Sequence, residues 1–229
     1  MQITDEIFQV GGSDFTSYDD AAIYFINFDG HAALVDAGCG RSTETLFKNI
    51  RSWGVKPEYI QYLLITHCHY DHTGGAKAVK EMTGCQAVAH ELDAGFLEQG
   101  DDKVTAATWY GASLEPFLIE KKLSLIEKKL SLPREQIQLG DHYVEAIHTP
   151  GHSPGSVVYV AESQGLKVLF GQDVHGPLDA SLLSNRKDYF ESLDLLLSLE
   201  ADILCEGHYG VYKGKSEVRK FIRSFMTNP

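Results

Sequence analysis

The chain reads as an α/β layered sandwich, with two β-sheets packed face to face and helices outside them. Two observations predict this: two β-rich halves each close with helices, and no Pro/Gly/Ser-rich linker divides them. In the first half, Ile3–Val10, Ala21–Phe28 and His31–Asp36 are short β-prone runs, the last two joined by the hairpin signal Asp29-Gly30. Ser42 caps a predicted helix running to about Ser52, with Leu46, Phe47 and Ile50 on one face. Tyr59–Thr66 is a compact apolar strand ending at His67, followed by a helix over Gly74–Met82 and a strand at Gln86–Ala89. The second half repeats the pattern. Gln136–Leu139, Tyr143–His148, Ser156–Ala161 and Lys167–Phe170 read as strands, and Arg186–Glu200 as a helix with Leu193, Leu196 and Leu197 inward. A strand at Ile203–Cys205 and a helix at Ser216–Phe225 complete it.

Between the halves the sequence IEKKLSL occurs twice, at Ile119–Leu125 and Ile126–Leu132. A seven-residue step returns to the same helical face with about 20° of drift. Ile119, Leu123, Ile126 and Leu130 then form an apolar stripe, leaving Lys121, Lys122, Lys128 and Lys129 solvated. Ser113 as cap and Pro133 as stop frame a predicted helix, part of a helical insertion at about 94–133 in a single domain spanning 1–229. Its first reading is a core-facing helix; a lid over an active site and a dimer seam are the alternatives.

Composition narrows the function. The residues are 43% hydrophobic, enough for a core that needs no disulfide or metal to form. A net charge of −12 argues against a protein that grips the nucleic-acid backbone, which requires clustered cations. No apolar run approaches the ~18 residues of a membrane span, and the N-terminus lacks the shape of a signal peptide. Cys39, Cys68, Cys85 and Cys205 lie far apart with no CxxC pair, which fits free thiols and a reducing cytoplasm.

The chemistry concentrates in His67-Cys68-His69-Tyr70-Asp71-His72. Alternation in an extended turn points His67 and His69 to one side, suited to one ion, while Asp71 and His72 project after the bend and suit a second ion about 3.5–4 Å away. By the same alternation Cys68 points away, as a packed thiol. His152 in TPGHSPGS, Asp173 in FGQD and His208 in CEGH are each a lone donor beside glycine at a strand end, weak signals one by one.

Taken together, the order HxHxDH, His, Asp, His resembles the metallo-β-lactamase superfamily, as do the opening AAIYFINFDGHAALVDAG and the TPGHSPGS turn. The resemblance implies a four-layer αβ/βα sandwich with the site along one edge of the facing sheets. It implies that His67, His69 and His152 bind one metal, that Asp71, His72 and His208 bind the other, and that Asp173 bridges both. Asp71 and Asp173 are thereby the expected catalytic carboxylates. A carboxylate bridge offsets the repulsion of two cations. The His/Asp set suits Zn²⁺ best, with Fe or Mn also possible, and each ion brings the pKa of bound water towards ~7, making a bridging hydroxide at neutral pH. Asp36 resembles the buried aspartate that supports the metal loop. Tyr70 either lines the mouth or packs as a core aromatic, and His175 either faces substrate or supports the site. His31, His90, His142 and His148 have no motif context and read as structural.

Within the superfamily, β-lactam-hydrolysing enzymes typically carry cysteine where Asp173 stands, and flavodiiron reductases glutamate where His69 stands. Nuclease members usually add a large domain and a basic surface. The pattern here resembles the glyoxalase II-like thioesterases and small lactonases, without the long helical C-terminal domain that holds glutathione in the former. The expectation is a hydrolase of a small carboxylic ester, thioester or lactone, with Ala94–Pro133 supplying the substrate wall and a homodimer possible. A mononuclear iron persulfide dioxygenase and a non-catalytic, metal-stabilised ligand sensor are the alternatives.

Overall fold

Side chains that alternate between two faces dictate the layering. The computed structural model describes residues 1–124, 134–171 and 173–226. Its first sheet holds β1 (Ile7–Gly11), β2 (Ile23–Phe28), β3 (His31–Val35), β4 (Ile60–Leu64), β5 (Gln86–His90) and β6 (Lys121–Leu123), hydrogen-bonded in chain order. β1 to β3 are antiparallel and β3 to β6 parallel. The second sheet holds β7 (Arg134–Leu139), β8 (His142–His148), β9 (Val157–Ser163), β10 (Leu166–Phe170), β11 (Ile203–Cys205) and β12 (Val211–Lys213), again neighbours in chain order. Only β10 and β11 run parallel there.

One face of each sheet meets the other. Tyr24, Ile26, Phe28 and Val35 pack between the sheets with Val144, Tyr159, Val168 and Phe170. The outer face of the first sheet, with Phe25, Leu34 and Leu63, is covered by Leu46, Phe47 and Ile50 of α1 (Thr43–Ser52). The short α2 (Tyr70–Thr73), then α3 (Ala76–Thr83) and α4 (Glu91–Gln99), lie on the same side and contribute Val79 and Leu97 to that cluster. The outer face of the second sheet, with Ile147, Val158 and Leu169, is covered by α5 (Arg186–Ser198) and α6 (Lys215–Ser224) through Leu193, Leu196, Val218 and Ile222. The order of layers is helix, sheet, sheet, helix. Each such fully buried side chain contributes about 1.5–3 kcal/mol relative to exposure.

The predicted helix over the first heptad is a correction. Lys121–Leu123 is a strand, paired parallel with β5. From Phe117 to Leu123 burial alternates, with Phe117, Ile119 and Leu123 inside, Leu118, Glu120 and Lys122 outside and Lys121 between. Ile119 and Leu123 are four residues apart, so they satisfy a helical and an extended period equally. The open edge of β5 decides between them by supplying backbone partners. Lys121 and Lys122 are not merely solvated; they pair with Glu135 at 2.8 Å and Glu98 at 2.6 Å. The second heptad, Ile126–Leu132, lies outside the described residues. Within 94–124 the helical residues are the rest of α4 and a single 3-10 turn at Ala107–Tyr110.

The segments carrying the predicted donors all leave the carboxyl ends of strands: His67–His72 after β4, His152 after β8, Asp173 after β10 and His208 after β11. Asp36 does the same after β3, in the left-handed region at φ 63°. Gly151 turns the chain into His152 at φ 131°, where an added Cβ would lie 2.2 Å from the Tyr189 nitrogen at the start of α5. Gly151→Ala is expected to cost about 3 kcal/mol or more in denaturant unfolding. Gly165→Ala, at φ 74° but with open space around it, should cost only about 1–2 kcal/mol. Equal losses would show that the close approach to α5 is unimportant.

Candidate metal centre

Neighbouring groups fix which ring nitrogen each histidine turns inward. Thr66 donates its hydroxyl to Asp36 at 2.7 Å, so the His67 Nδ1–H, 3.0 Å away, donates to that hydroxyl oxygen and leaves Nε2 facing the site. His72 Nδ1 donates to Asp36 Oδ2 at 2.7 Å, and His152 Nδ1 to the Pro177 carbonyl at 2.9 Å. Both therefore present Nε2 inward. Asp36 also accepts the Thr66 N–H at 2.9 Å, which fixes the start of the histidine segment. Asp36 thus holds both the start of the histidine segment and the ring of His72.

Two groups of donors result. In each, one atom from every residue lies within 4.8 Å of the others: His67, His69, His152 and Asp173 in the first, Asp71, His72, His208 and Asp173 in the second. Asp173 belongs to both through different oxygens. Its Oδ2 lies 3.3 Å from His152 Nε2 and 3.9 Å from His67 Nε2. Its Oδ1 lies 3.1 Å from His72 Nε2 and 3.4 Å from His208 Nε2. His208 Nε2 is also 3.2 Å from Asp71 Oδ2. Four donors about 2.05 Å from a common centre stand about 3.3 Å apart, so this spacing fits cations between them. The hydrogen-bonding account agrees. His69 Nε2, His72 Nε2 and Asp173 Oδ1 are buried without a hydrogen-bond partner, the close His72–Asp173 approach notwithstanding. Buried polar atoms left in this way are costly, and a cation satisfies all three. The residues fit a two-ion centre.

Electrostatics point the same way. Burial, reinforced by the neighbouring imidazoles, holds His67 well below the usual histidine range and His69 down to about 3. These two rings are neutral and free to donate lone pairs. At His72 burial opposes charge, but Asp173, Asp36 and Asp71 together outweigh it and raise the ring well above its usual range. His208 is pushed up to about 10 against burial by Asp173 and Asp71. Burial disfavours the Asp173 carboxylate, yet His72 and His208 hold it well below the ordinary range. The second group demands positive charge.

Several neighbours complete the picture. Cys68 is fully buried in the outer core of the first sheet, and burial pushes its thiol well above the usual range, in keeping with a packed thiol. Tyr70 is buried in the same cluster, its ring 5.7 Å from Tyr110, rather than lining a mouth. His175 donates Nδ1–H to Glu206 at 2.8 Å, and its ring lies 5.1 Å from that of His208. Sequence reasoning missed Glu206, which is wholly buried and also accepts the backbone N–H groups of His208 and Tyr209 at 2.7 Å. A carboxylate ending the apolar run ILC was the available signal. It also missed Tyr110 of the 94–124 segment, whose phenol is pushed well above the usual tyrosine range by burial, with Asp71 nearby, and Asp93. Beside His208 a cavity of about 500 Å³ opens, lined by Gly12, Phe15, Asp20, Ala22 and Val211 among others. Among the described residues its wall comes from the N-terminal segment, the turn at Gly207–Gly210 and β12, with none from 94–124. The histidines without motif context are structural: His31 bonds Gln61, His142 stacks on Phe28, and His90 stacks on His148.

The family model of the metallo-beta-lactamase superfamily matches residues 19–208. The chain belongs to that superfamily. A probable metallo-hydrolase of Methanocaldococcus jannaschii is 30% identical over 130 residues, 57% of each chain. An acyl-coenzyme A thioesterase of Gallus gallus is 26% identical, with 90% of this chain and 78% of that one aligned. A hydroxyacylglutathione hydrolase of Rhodospirillum rubrum is 30% identical over 47% of this chain and 32% of its own. The chain thus spans only part of these relatives, from about a third to about three quarters. Among solved structures, the subclass B3 metallo-beta-lactamase BJP-1 of Bradyrhizobium japonicum superimposes with a TM-score of 0.76 at 25% identity, covering 99% of this chain and 90% of that one. A metallo-beta-lactamase from Cronobacter sakazakii gives 0.79 at 19% identity, covering 99% and 93%. The four layers described above are the superfamily's α/β sandwich. Among the described residues no helix is long and apolar enough to cross a membrane.

The electrostatics give a pH signature for metal-free protein. His208 rises from about 6.5 to about 10 on folding, so its stabilisation is complete below pH 6.5 and lost as pH climbs through 10; His72 acts in the same sense. His67 and His69 act oppositely: the unfolded chain takes up their protons first, so stability also falls below pH 6.5. Thermal unfolding in excess chelator is expected to show a melting temperature that falls on both sides of about pH 6.5. A metal-free melting temperature unchanged towards pH 10 would contradict these environments.

Proposed function

We propose that the chain is a two-ion metallo-hydrolase acting on a small carboxylic ester, thioester or lactone, with a thioester the leading candidate. The observation that carries this reading is the placement of Asp173, one carboxylate oxygen in each donor group. His67, His69 and His152 would hold one divalent ion, Asp71, His72 and His208 the other, and Asp173 both. Zn²⁺ suits the nitrogen and oxygen donors best, with Fe or Mn as alternatives. Bound there, the ions would polarise a substrate carbonyl and bring the ionisation of water towards neutral pH, so that no serine or cysteine nucleophile is required. Support for the thioester comes from the relatives named acyl-coenzyme A thioesterase and hydroxyacylglutathione hydrolase.

The chain's own residues prepare this chemistry. Asp36 orients His72 directly and His67 through Thr66, and the Pro177 carbonyl orients His152. Burial, reinforced by Asp71 nearby, keeps the Tyr110 phenol protonated at the edge of the centre. His175, held by Glu206 at the side of His208, and the adjoining cavity offer the leaving group a polar and an apolar boundary.

Protein purified with excess metal and then desalted should carry two transition-metal ions per chain by elemental analysis. One or none would count against the two-ion reading. Asp173→Ala should lose at least one ion and lower turnover by more than about 100-fold, beyond the 10–100-fold loss typical of groups behind the ligands. A panel of acyl-coenzyme A, acyl-glutathione, aryl ester, lactone and β-lactam substrates decides the class. Preferred turnover of a β-lactam would overturn the carboxylic ester and thioester assignment.

A further inference from the structure

Asp93 lies on the third residue of α4, outside both donor groups, and is wholly buried. Its carboxylate accepts three hydrogen bonds. Oδ2 takes the Cys68 N–H at 3.0 Å and the Ser153 hydroxyl at 2.6 Å; Oδ1 takes the Gly155 N–H at 2.7 Å. Cys68 sits between His67 and His69, while Ser153 follows His152 directly. One side chain therefore joins the two segments that carry the imidazoles of the first donor group.

The arrangement is built rather than incidental. Because the Ser153 hydroxyl proton goes to Asp93, the Ser156 hydroxyl supplies the proton in the 2.9 Å contact between the two serines. Ser156 Oγ accepts the Ser153 N–H at 3.0 Å, closing the turn. The carboxylate fits only against a glycine, since a Cβ on Gly155 would lie 2.6 Å from Asp93 Cγ. A second contact clamps the same elements: His90, the residue capping α4, stacks on His148 at 4.0 Å, and the His148 ring bonds the Pro154 carbonyl at 2.9 Å. The spacing this clamp sets is visible in the site, where His67 Nε2 and His152 Nε2 stand 3.2 Å apart.

We propose that Asp93 is the positioning residue for the ion site of His67, His69 and His152, tying the His67–His69 segment to the His152 turn so that their imidazoles converge on one ion. Residues serving the second group are held by other means, His72 by Asp36 and the His208 backbone by Glu206. The effect of Asp93 is accordingly selective for one ion. The inference rests on the two-ion reading above.

The test is a two-step zinc titration against a chromophoric chelator on the full chain, with His152→Ala and His208→Ala marking which step belongs to which ion. Asp93→Asn keeps the shape but turns an amide N–H₂ towards a backbone N–H donor whichever way it is placed, Cys68 or Gly155, so one of the backbone hydrogen bonds of the tie is lost. It is expected to weaken the step lost in His152→Ala by about 10- to 100-fold and leave the step lost in His208→Ala unchanged. Gly155→Ala, which displaces the carboxylate without removing it, should weaken the same step. Leu193→Ala, in the core under α5, serves as the control for general loss of stability. If Asp93→Asn leaves both affinities intact, or lowers both in parallel as the Leu193 variant does, the positioning role is wrong. A wild-type chain that shows no separate step removable by His152→Ala overturns the two-ion reading, and this inference with it.

Discussion

The site depends on one carboxylate facing in two directions. Asp173 is buried, yet imidazoles on both sides keep it ionised, and its two oxygens belong to different groups. Without it each group would keep three donors, two from the segment after β4 and one from a loop of the second sheet, and no side chain would be shared between the groups. A buried anion between two clusters of imidazoles is expensive unless cations offset it, and the partnerless atoms of His69 and His72 mark where they would sit.

Support for that carboxylate crosses the seam repeatedly. Tyr24 of the first sheet donates its hydroxyl to the Glu206 carbonyl of the second at 2.6 Å, and Tyr159 of the second donates to the Ile65 carbonyl of the first at 2.9 Å. Both tyrosines stand in the core between the sheets. The packing that joins the halves is therefore continuous with the hydrogen bonds that hold the ligand segments, so small shifts between the sheets are felt at the centre.

How much of this is legible in the sequence depends on range. His67, His69, Asp71 and His72 declare themselves because their spacing is local, and an extended turn alone separates the two sets of side chains. His152, Asp173 and His208 are interpretable only through their order along the chain. Glu206, Tyr110 and Asp93 leave almost no mark, since each acts through a partner that the fold brings near: Asp93 meets Ser153 across 60 residues. The first IEKKLSL heptad fails for a related reason. Its apolar residues fit two periods, and the deciding partner, the open edge of β5, belongs to another part of the chain.

That edge has a consequence for how the molecule meets its own kind. β6 is three residues long, and two of them are lysines engaged with Glu135 and Glu98. A strand from a second copy approaching there would find few free backbone groups and would have to displace paired charges to reach them. Parallel sheets with a bare edge invite runaway association; among the described residues this one ends in a short strand whose lysines are already paired. Among the described residues the first heptad, read from its sequence as a helix, thus forms the border of the sheet and carries its own guard of paired charges.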